Sequence, residues 1–471
     1  MKATRSLAVL VVASLAAGAC SRSGRSATTA PTAGGPSSTA AAAATTTTAA
    51  NQCATTTLQA TDVGVTPTTI TVEVMADVGS ALAPGLFQGN IDALNAFATY
   101  INAHGGLACR KVAVRTWDSK LDPTESKNGQ IDACQNALAM VGTNALFNPD
   151  ITTLNTCADK NGQATGLPDI AAISADVNEQ CGTTVFNIQG VPQKCPVTPG
   201  VKAYTEPVGY MKWQLSQDPG LHGLWLIAGD LPSTTQVELP QIAGFQQAGV
   251  VWDATPKVSG ADTQPAYTPR VQLAKAKGST FVYDGANDVA MVRMRKEAAA
   301  QGLSSVKVWG CSIACYTKAF LAQGGSDVEG TYISMPFLPF EEASDNPEDQ
   351  NYVNTVTYAK ADSFGAAGWQ AAVAFEDAVN AIVKKDGPNG LTRASLLAAL
   401  RAIGTFDANK WLGAKTLQGD GSISPCFMVL QVRGGKFVRV YPAQPGTMDC
   451  NASNLVQVSM DPAAVAATLK S

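Results

Sequence analysis

The stretch Thr69-Ile-Thr-Val-Glu-Val-Met-Ala76 carries apolar side chains at alternate positions from Ile70 to Val74. A period of two residues predicts a β-strand with one buried face. The strand runs into Asp77-Val-Gly-Ser80, a composition typical of a loop. Apolar residues then recur at positions 91, 94, 97 and 101, the spacing of one helix face, before His104-Gly-Gly106. The sequence therefore begins its folded part with a strand, a loop and a helix that ends at glycine, with His104 in the terminating turn.

The same alternation continues along the chain. Strands that alternate with helices predict parallel sheets covered by helices on both faces, and the series starts again after residue 200, so we expect two α/β lobes. In the first series we predict strand 112–117, helix 124–140, strand 141–147, helix 150–161, and strands 168–173 and 184–188. In the second we predict helix 200–217, strand 224–228, helix 235–247, strand 249–253, helix 266–277, strand 279–283, helix 287–301, strand 305–309, helix 314–323 and strand 330–335.

Three further helices and a hairpin are expected beyond residue 336. The helices are predicted near 348–363, 366–385 and 391–402. Two short apolar segments, Phe427–Val432 and Phe437–Tyr441, flank Gly434-Gly435. Two glycines between two such segments predict a hairpin with a two-residue turn.

The first residues have the organisation of an export signal. Lys2 and Arg5 precede an uncharged run over 6–19 that ends in small residues directly before Cys20. This pattern predicts a secretory signal over residues 1–19, which is too short to span a bilayer. The position of Cys20 resembles the lipobox of bacterial lipoproteins, which implies a lipid on Cys20, although Ala17 stands where that motif usually has Leu. The alternative is a secreted protein whose Cys20 lies in the removed peptide or stays unpaired.

Residues 20–60 are predicted to be a disordered tether. Of the 30 residues from 21 to 50, 28 are Ala, Thr, Ser, Gly or Pro, which leaves nothing to form a core. With a lipid on Cys20, such a tether would hold an exported body at the outer face of the cell membrane. A cleavable or glycosylated stalk without an anchor is the alternative.

Charge and motif content exclude several classes of function. The net charge is −4, and the first fifty residues contain four cations and no acid, so the remainder carries −8. That balance gives no basic face for nucleic acid. His104 and His222 are the only histidines, which limits acid–base and metal chemistry. No Gly-x-Ser-x-Gly, phosphate-binding loop, His-Glu-x-x-His or dinucleotide motif is present. We therefore predict no enzyme, metal or cofactor, and an exported hydrolase is the weakest alternative.

Eleven cysteines leave an even ten once Cys20 is set aside, and an even number in an exported chain indicates disulfides. We predict the short-range pairs Cys109–Cys134, Cys311–Cys315 and Cys426–Cys450. The remaining four are left unassigned: Cys53, Cys157, Cys181 and Cys195. A metal site on Cys311-Ser-Ile-Ala-Cys315 is the alternative, but no second cysteine pair or histidine cluster accompanies it.

The order of residues resembles a known family. Strand 69–76 is followed by Tyr100-Ile-Asn-Ala-His-Gly-Gly-Leu-Ala-Cys-Arg-Lys-Val112, then Trp117-Asp-Ser119 and Asp122-Pro123. This succession is similar to the start of the leucine/isoleucine/valine-type solute-binding proteins of ABC transporters. Looser matches occur at Gly166-Leu-Pro-Asp-Ile170, Thr184-Val-Phe186, Phe281-Val-Tyr-Asp-Gly285, Gly330-Thr-Tyr332 and Gly434-Gly-Lys436. The resemblance covers about residues 65 to 442.

The resemblance implies a type I periplasmic-binding-protein fold, an α/β fold of two Rossmann-like lobes with parallel sheets joined by a three-strand hinge. Lobe 1 would contain 65–191 and 337–410, lobe 2 would contain 192–336 and 411–445, and 446–471 would be a tail. The lobes would close on a small solute and deliver it to the permease and ATPase subunits of an importer. The solute would be an amino-acid-like compound, an amide, or a small apolar or aromatic acid. We expect a monomer. The alternative is an extracellular sensor of the same fold.

Ligands of open α/β sheets lie beyond the carboxyl ends of the strands, where loops and helix N-termini offer free N–H groups. Residues that follow the predicted strands are therefore the candidate ligand-binding residues, and the alternative for the polar ones is that they only cap helices. In the first lobe these are Val78, Gly79, Ser80, Asn148, Asp150, Ser174, Ala175 and Asp176. In the second lobe they are Asp230, Tyr283, Asp284 and Ser312.

Two departures from the family bear on the ligand. Phe147-Asn-Pro-Asp150 replaces the family's Ser-rich loop, and Trp309-Gly-Cys-Ser312 replaces the acidic residue that pairs with a ligand ammonium. These departures therefore do not favour an α-amino acid as the ligand. Asp284 is expected to hold a cation or hydroxyl, so that Asp284→Ala should weaken binding. Tyr283 and Trp309 either stack on a ring-shaped solute or belong to the core.

Overall fold

The computed structural model describes residues 53–195, 200–358, 360–419 and 422–467. The predicted signal, Cys20 and most of the 20–60 tether lie outside these residues. No helix of the described part of the chain has the length and apolar content needed to cross a bilayer.

Strands and helices alternate through most of the chain, as the periodicity predicts. The strands are β1 (Thr69–Ala76), β2 (Lys111–Asp118), β3 (Ala139–Thr143), β4 (Asp169–Ala171), β5 (Val185–Asn187), β6 (Lys202–Pro207), β7 (His222–Ala228), β8 (Val251–Ala254), β9 (Lys257–Val258), β10 (Phe281–Asp284), β11 (Val308–Cys311), β12 (Tyr332–Met335), β13 (Met428–Arg433), β14 (Lys436–Tyr441) and β15 (Leu455–Met460). The α-helices are α1 (Gln88–Ala103), α2 (Pro123–Asn136), α3 (Thr152–Thr156), α4 (Val177–Gln180), α5 (Gly209–Gln217), α6 (Pro232–Ala248), α7 (Thr268–Lys277), α8 (Asp288–Ala300), α9 (Lys318–Gly324), α10 (Pro347–Val356), α11 (Ser363–Asp386), α12 (Arg393–Ala402) and α13 (Pro462–Ala466).

The first sheet has the strand order β2-β1-β3-β4-β5, and all of its neighbouring pairs are parallel. The long helix α11 packs on α1 and β3. The Asp362 side chain caps this helix by accepting a hydrogen bond from the N–H of Gly365. Phe97 of α1 meets Trp369 of α11 edge to face, with 5.3 Å between ring centroids. We call this sheet with its helices the first lobe.

The second sheet has the order β14-β13-β12-β11-β10-β7-β8. Its strands from β12 to β8 are parallel, whereas β13 and β14 form an antiparallel hairpin at the other edge. Gly434 and Gly435 both have positive φ, 59° and 70°, which the two-residue turn requires. The predicted hairpin is confirmed, and the whole matches the predicted fold class. We call this sheet with its helices the second lobe.

Several predicted helices are partly wrong. The helix predicted over 150–161 is limited to Thr152–Thr156, and the one predicted near 348–363 ends at Val356. The sequence predicts a helix over 200–217, but residues 202–207 form β6 and the helix begins only at Gly209. Strand β6 pairs in antiparallel fashion with β15, so its partner lies about 250 residues away along the chain. Residues 446–467, expected to be part of a tail, therefore contain a strand and the short helix α13.

Five disulfides link ten cysteines: Cys53–Cys109, Cys134–Cys157, Cys181–Cys195, Cys311–Cys315 and Cys426–Cys450. Two of the predicted pairs, Cys311–Cys315 and Cys426–Cys450, are confirmed. The predicted pair Cys109–Cys134 is wrong. Cys109 precedes β2, whereas Cys134 lies in the last turn of α2 and meets Cys157 at the end of α3, a proximity that depends on how the two helices pack.

Candidate functional site

A cavity of about 250 Å³ lies between the two lobes. Its wall combines residues that follow first-lobe strands, residues of second-lobe strands and helices, and the segments that connect the lobes, around Gly190, Pro336 and Leu412. The cavity therefore lies beside the crossovers, where a relative rotation of the lobes would change its shape.

Three of the twelve predicted ligand-binding residues line this cavity: Ser174, Tyr283 and Ser312. Ser174 follows β4, and its buried Oγ has no hydrogen-bond partner in the part of the chain that the structure describes. Ser312 follows β11, and its side chain also caps a short turn by accepting from the N–H of Ala314. The carboxyl ends of strands from both sheets thus contribute to one cavity, as the general rule for α/β sheets predicts.

Aromatic and aliphatic side chains form most of the wall. Phe245 of α6, Phe337 after β12 and Phe427 before β13 are all buried and line the cavity. Met335 and Ile313 extend the apolar surface. Such a wall favours a ligand with a substantial apolar part, because burying apolar surface is worth roughly 25 cal/mol per Å².

Five buried polar residues of the wall were not predicted: Gln180, Glu206, Tyr210, Gln370 and Lys415. Glu206 Oε1, the Tyr210 hydroxyl and Gln370 Nε2 have no hydrogen-bond partner within the described part of the protein. Buried polar groups are normally paired, because an unpaired one costs about 1–3 kcal/mol. These three atoms, with Ser174 Oγ, therefore have unused hydrogen-bonding capacity in residues that line the cavity.

Burial also changes the ionisation of this wall. It raises the pKa of Glu206 well above its ordinary value, so this carboxyl favours its neutral form. It lowers the pKa of the Lys415 ammonium to about 7. Lys415 Nζ donates a hydrogen bond to the main-chain oxygen of Asn187, at the end of β5.

Sequence signals for these residues were weak. Gln370 is the one polar residue in the run Ala366-Ala-Gly-Trp-Gln-Ala-Ala-Val-Ala-Phe375, which is a usable hint of a buried polar role. Glu206 lies in the segment that was predicted as helix rather than strand. Lys415 has no local feature that separates it from a surface lysine.

The lobes touch each other away from the cavity. Ser233 Oγ of α6 donates a hydrogen bond to the main-chain oxygen of Leu146, which lies in the loop after β3. The backbone of Gly260 approaches the Leu82 carbonyl so closely that a Cβ at 260 would lie 2.7 Å from that oxygen. We call this arrangement, in which the lobes touch outside the cavity, closed.

Several predicted residues have partners within their own lobe instead. The N–H groups of Val78 and Gly79 each donate to Asp118 Oδ1 at 3.0 Å. Ser80 Oγ accepts from the N–H of Leu82. Asn148 accepts from Gln130 and donates to Glu179. None of these four belongs to the cavity wall.

Acidic candidates mostly serve as caps and ion pairs. Asp150 accepts from Lys127 Nζ at 2.7 Å, and the hydrogen bond from Lys127 is the main reason that its pKa falls to about 2. Asp176 caps α4 through the N–H of Asn178. Asp230 accepts from the N–H of Gly260. Ala175 is buried, and like these three carboxylates it lies outside the cavity wall.

Asp284 lies behind the wall. Its side chain is fully buried, Oδ1 accepts from the N–H of Ala286, and Oδ2 has no hydrogen-bond partner within the described ranges. Its carboxylate lies within 4.8 Å of the sulfurs of Cys311 and Cys315, but these two sulfurs are bonded to each other. Trp309 is likewise outside the wall, with the Arg295 guanidinium 4.7 Å from its ring centroid.

A protein-family model described as "Periplasmic binding protein" matches residues 69–436. Among curated proteins, a search finds no match to this chain.

Three solved structures illustrate the similarity of fold. A leucine-binding protein from Thermotoga maritima is 13% identical, with a TM-score of 0.59, over 79% of this chain and 97% of that chain. A fatty acid ABC transporter substrate-binding protein from Thermomonospora curvata is 17% identical, with a TM-score of 0.61, over 82% and 97%. An ABC-transporter solute-binding protein from R. palustris in complex with benzoate is 17% identical, with a TM-score of 0.60, over 82% and 98%.

Proposed function

Because this chain belongs to the periplasmic binding protein family, we propose that it acts outside the cytoplasm, where it captures a small molecule between its two lobes and delivers it to an ABC importer. The lobes would comprise 65–191 with 337–410, and 192–336 with 411–445. The observation that carries the proposal is the cavity between the lobes, with an apolar wall and four buried polar atoms that lack partners among the described residues. Binding sites for small molecules combine an apolar wall with a few placed polar groups in this way.

The ligand class follows from the wall. An apolar body would contact Phe245, Phe337 and Phe427, while one polar end would pair with Ser174 and Gln370. Small apolar or aromatic acids, amides and amino-acid-like solutes meet this requirement. The descriptions of the three similar structures name leucine, a fatty acid and benzoate, each of which joins an apolar body to a carboxylate.

An enzymatic role has less support. His104 Nδ1 contacts the Tyr100 carbonyl in the turn that ends α1, and His222 is paired with Asp253. Neither histidine lines the cavity. A hydrolase would need a nucleophile with a base beside it, and no serine of the cavity wall has a histidine among its hydrogen-bond partners in the described part of the chain.

The membrane attachment is a proposal from the sequence. Signal cleavage before Cys20 would leave a lipidated N-terminus, which would keep the receptor beside its permease. Mass spectrometry of the mature protein tests this, with a diacylglyceryl group on Cys20 as the expected result. A mature N-terminus downstream of Cys20 would contradict the anchor.

Ligand screening tests the receptor proposal. Native mass spectrometry of gently purified protein should show a co-purified solute, and thermal-shift screening should find stabilisation by members of the three solute classes. A ligand at a hundredfold excess over its Kd should add about 2.7 kcal/mol to the free energy of unfolding. No shift across the panel, together with no co-purified solute, would contradict the proposal. A purified sensor kinase retained by the protein in place of a permease would favour the signalling alternative.

A further inference from the structure

We propose that Lys415 is the anchor for a ligand carboxylate, and that the solute is a monocarboxylate with an apolar body. This inference rests on the proposed receptor function and narrows its ligand class. It concerns the segment that connects the lobes rather than the loops at the strand ends.

Among the described residues that line the cavity, Lys415 is the one basic residue. Its exposed fraction is 7%, so its ammonium is largely out of water. Nζ donates a hydrogen bond to the carbonyl of Asn187, and no carboxylate of the described residues forms an ion pair with it. A buried lysine without a counter-ion is costly, because desolvation disfavours its charge. A ligand carboxylate would remove that cost.

Other donors of the same wall suit the same group. Gln370 and Ser174 line the cavity together with Lys415, and Gln370 Nε2 and Ser174 Oγ are buried with no hydrogen-bond partner among the described residues. A carboxylate has two oxygens that accept several hydrogen bonds. One ammonium, one amide N–H and one hydroxyl make a donor set for an anion, and the aromatic side chains of the wall would hold the apolar body.

The remaining titratable groups of the wall do not compete for this role. They are Glu206, Tyr210 and Tyr283. Burial raises the pKa of each, so all three favour their neutral forms at pH 7. Burial is also the cause that lowers the pKa of Lys415 to about 7. The ligand-free wall therefore carries little charge above pH 7, and a bound carboxylate would bring a proton to Lys415.

The experiment measures binding of benzoate and hexanoate to the full chain by calorimetry, with benzamide and hexanamide as matched neutral probes and L-phenylalanine as a zwitterion. We expect the carboxylates to bind at least tenfold more tightly than their amides. At pH 8, the binding enthalpy measured in buffers of different ionisation enthalpy should show that the protein takes up close to one proton when a carboxylate binds. The affinity for carboxylates should fall as the pH rises from 7 to 9, because Lys415 must take up a proton to bind them. The decrease should approach a factor of ten for each pH unit.

Variants test the residue itself. Lys415→Met should weaken carboxylate binding at least tenfold and leave amide binding unchanged, and Lys415→Arg should retain more carboxylate affinity than Lys415→Met. Lys385→Met, at an exposed position of α11, is the matched control and should change neither. If Lys415→Met fails to fold, the measurement of proton uptake by the unaltered protein decides whether Lys415 holds the carboxylate.

The outcomes separate the two proposals. Carboxylates that bind without proton uptake, or with unchanged affinity in Lys415→Met, would overturn the inference. Tight binding of amides or L-phenylalanine but not of carboxylates would also overturn it, yet would leave the receptor function intact. If neither these probes nor the screening panel bound to the unaltered protein, the receptor function itself would fail.

Discussion

Ser233 of the second lobe donates a hydrogen bond from Oγ to the main-chain oxygen of Leu146 of the first lobe, at 2.6 Å. Both residues are near-neighbours of predicted strand-end loops, yet neither was a candidate. Their contact joins the lobes outside the cavity, so it stabilises the closed arrangement without touching the ligand.

We expect Ser233→Ala to weaken ligand binding about fivefold, because one hydrogen bond contributes about 1 kcal/mol and this one is made only while the lobes are closed. Calorimetry with a ligand found by screening provides the measurement. Thr234→Ala is the matched control, because the Thr234 hydroxyl bonds within its own turn, to Leu231. Equal effects of the two substitutions would contradict a role in closure.

Gln370→Leu should stabilise the ligand-free protein and weaken ligand binding. Gln370 Nε2 is buried without a partner, so its replacement by an apolar group of similar size removes a desolvation cost of about 1 kcal/mol. The same change removes a donor for the ligand, and we expect affinity to fall about tenfold. Denaturant unfolding and calorimetry measure the two effects. A less stable variant with unchanged affinity would show that Gln370 serves the fold alone.

Arg393→Met should destabilise the protein by about 3 kcal/mol, because several main-chain acceptors lose their donor. The Arg393 guanidinium is buried and donates to the carbonyls of Cys134, Ala137 and Ala158. Denaturant unfolding measures the loss. Arg401→Met, exposed with one hydrogen bond to Thr183, is expected to stay within about 0.5 kcal/mol of the unaltered protein. Similar losses in the two variants would refute this account.

The free energy of unfolding should fall as the pH rises, because the buried carboxyl of Asp349 ionises. Both carboxylate oxygens of this buried residue lack hydrogen-bond partners among the residues described, and burial, aided by Glu341 and Glu342, raises its pKa from 3.8 to about 8. Since the folded pKa exceeds the unfolded one, the contribution to stability is complete below about pH 4 and is lost as the pH rises to about 8.

Asp349→Asn should therefore flatten the pH dependence of unfolding and leave the variant more stable at pH 8, by about 1–3 kcal/mol. Denaturant unfolding at pH 5 and pH 8 checks this, with the exposed Asp345→Asn as surface control. An unchanged difference between the two pH values would exclude Asp349 as its source.

Local patterns predicted most of the elements correctly. The strand at 69–76 and the hairpin around Gly434-Gly435 depend on neighbouring residues, so their sequences are enough to predict them. The helix predicted over 200–217 was partly wrong because β6 is stabilised by pairing with β15, a strand about 250 residues later in the chain. Local preference yields to such long-range hydrogen bonding.

The disulfides divide in the same way. Cys311–Cys315 closes a short loop and was predictable from spacing, and Cys426–Cys450 joins the two last cysteines of the chain. Cys109 instead pairs with Cys53, because the position of one element against another decides which sulfurs meet, and sequence separation does not report that position.

By itself, the sequence determined the alternation of strands and helices and the fold class. The general rule that ligands lie beyond strand ends also led to three residues of the cavity wall, Ser174, Tyr283 and Ser312. Only the tertiary structure brought Glu206, Gln370 and Lys415 to the same cavity, from a strand, a long helix and a connecting segment. The physical reason is range: backbone preference and side-chain periodicity act over a few residues, whereas burial and the loss of hydrogen-bond partners depend on which distant segments pack together.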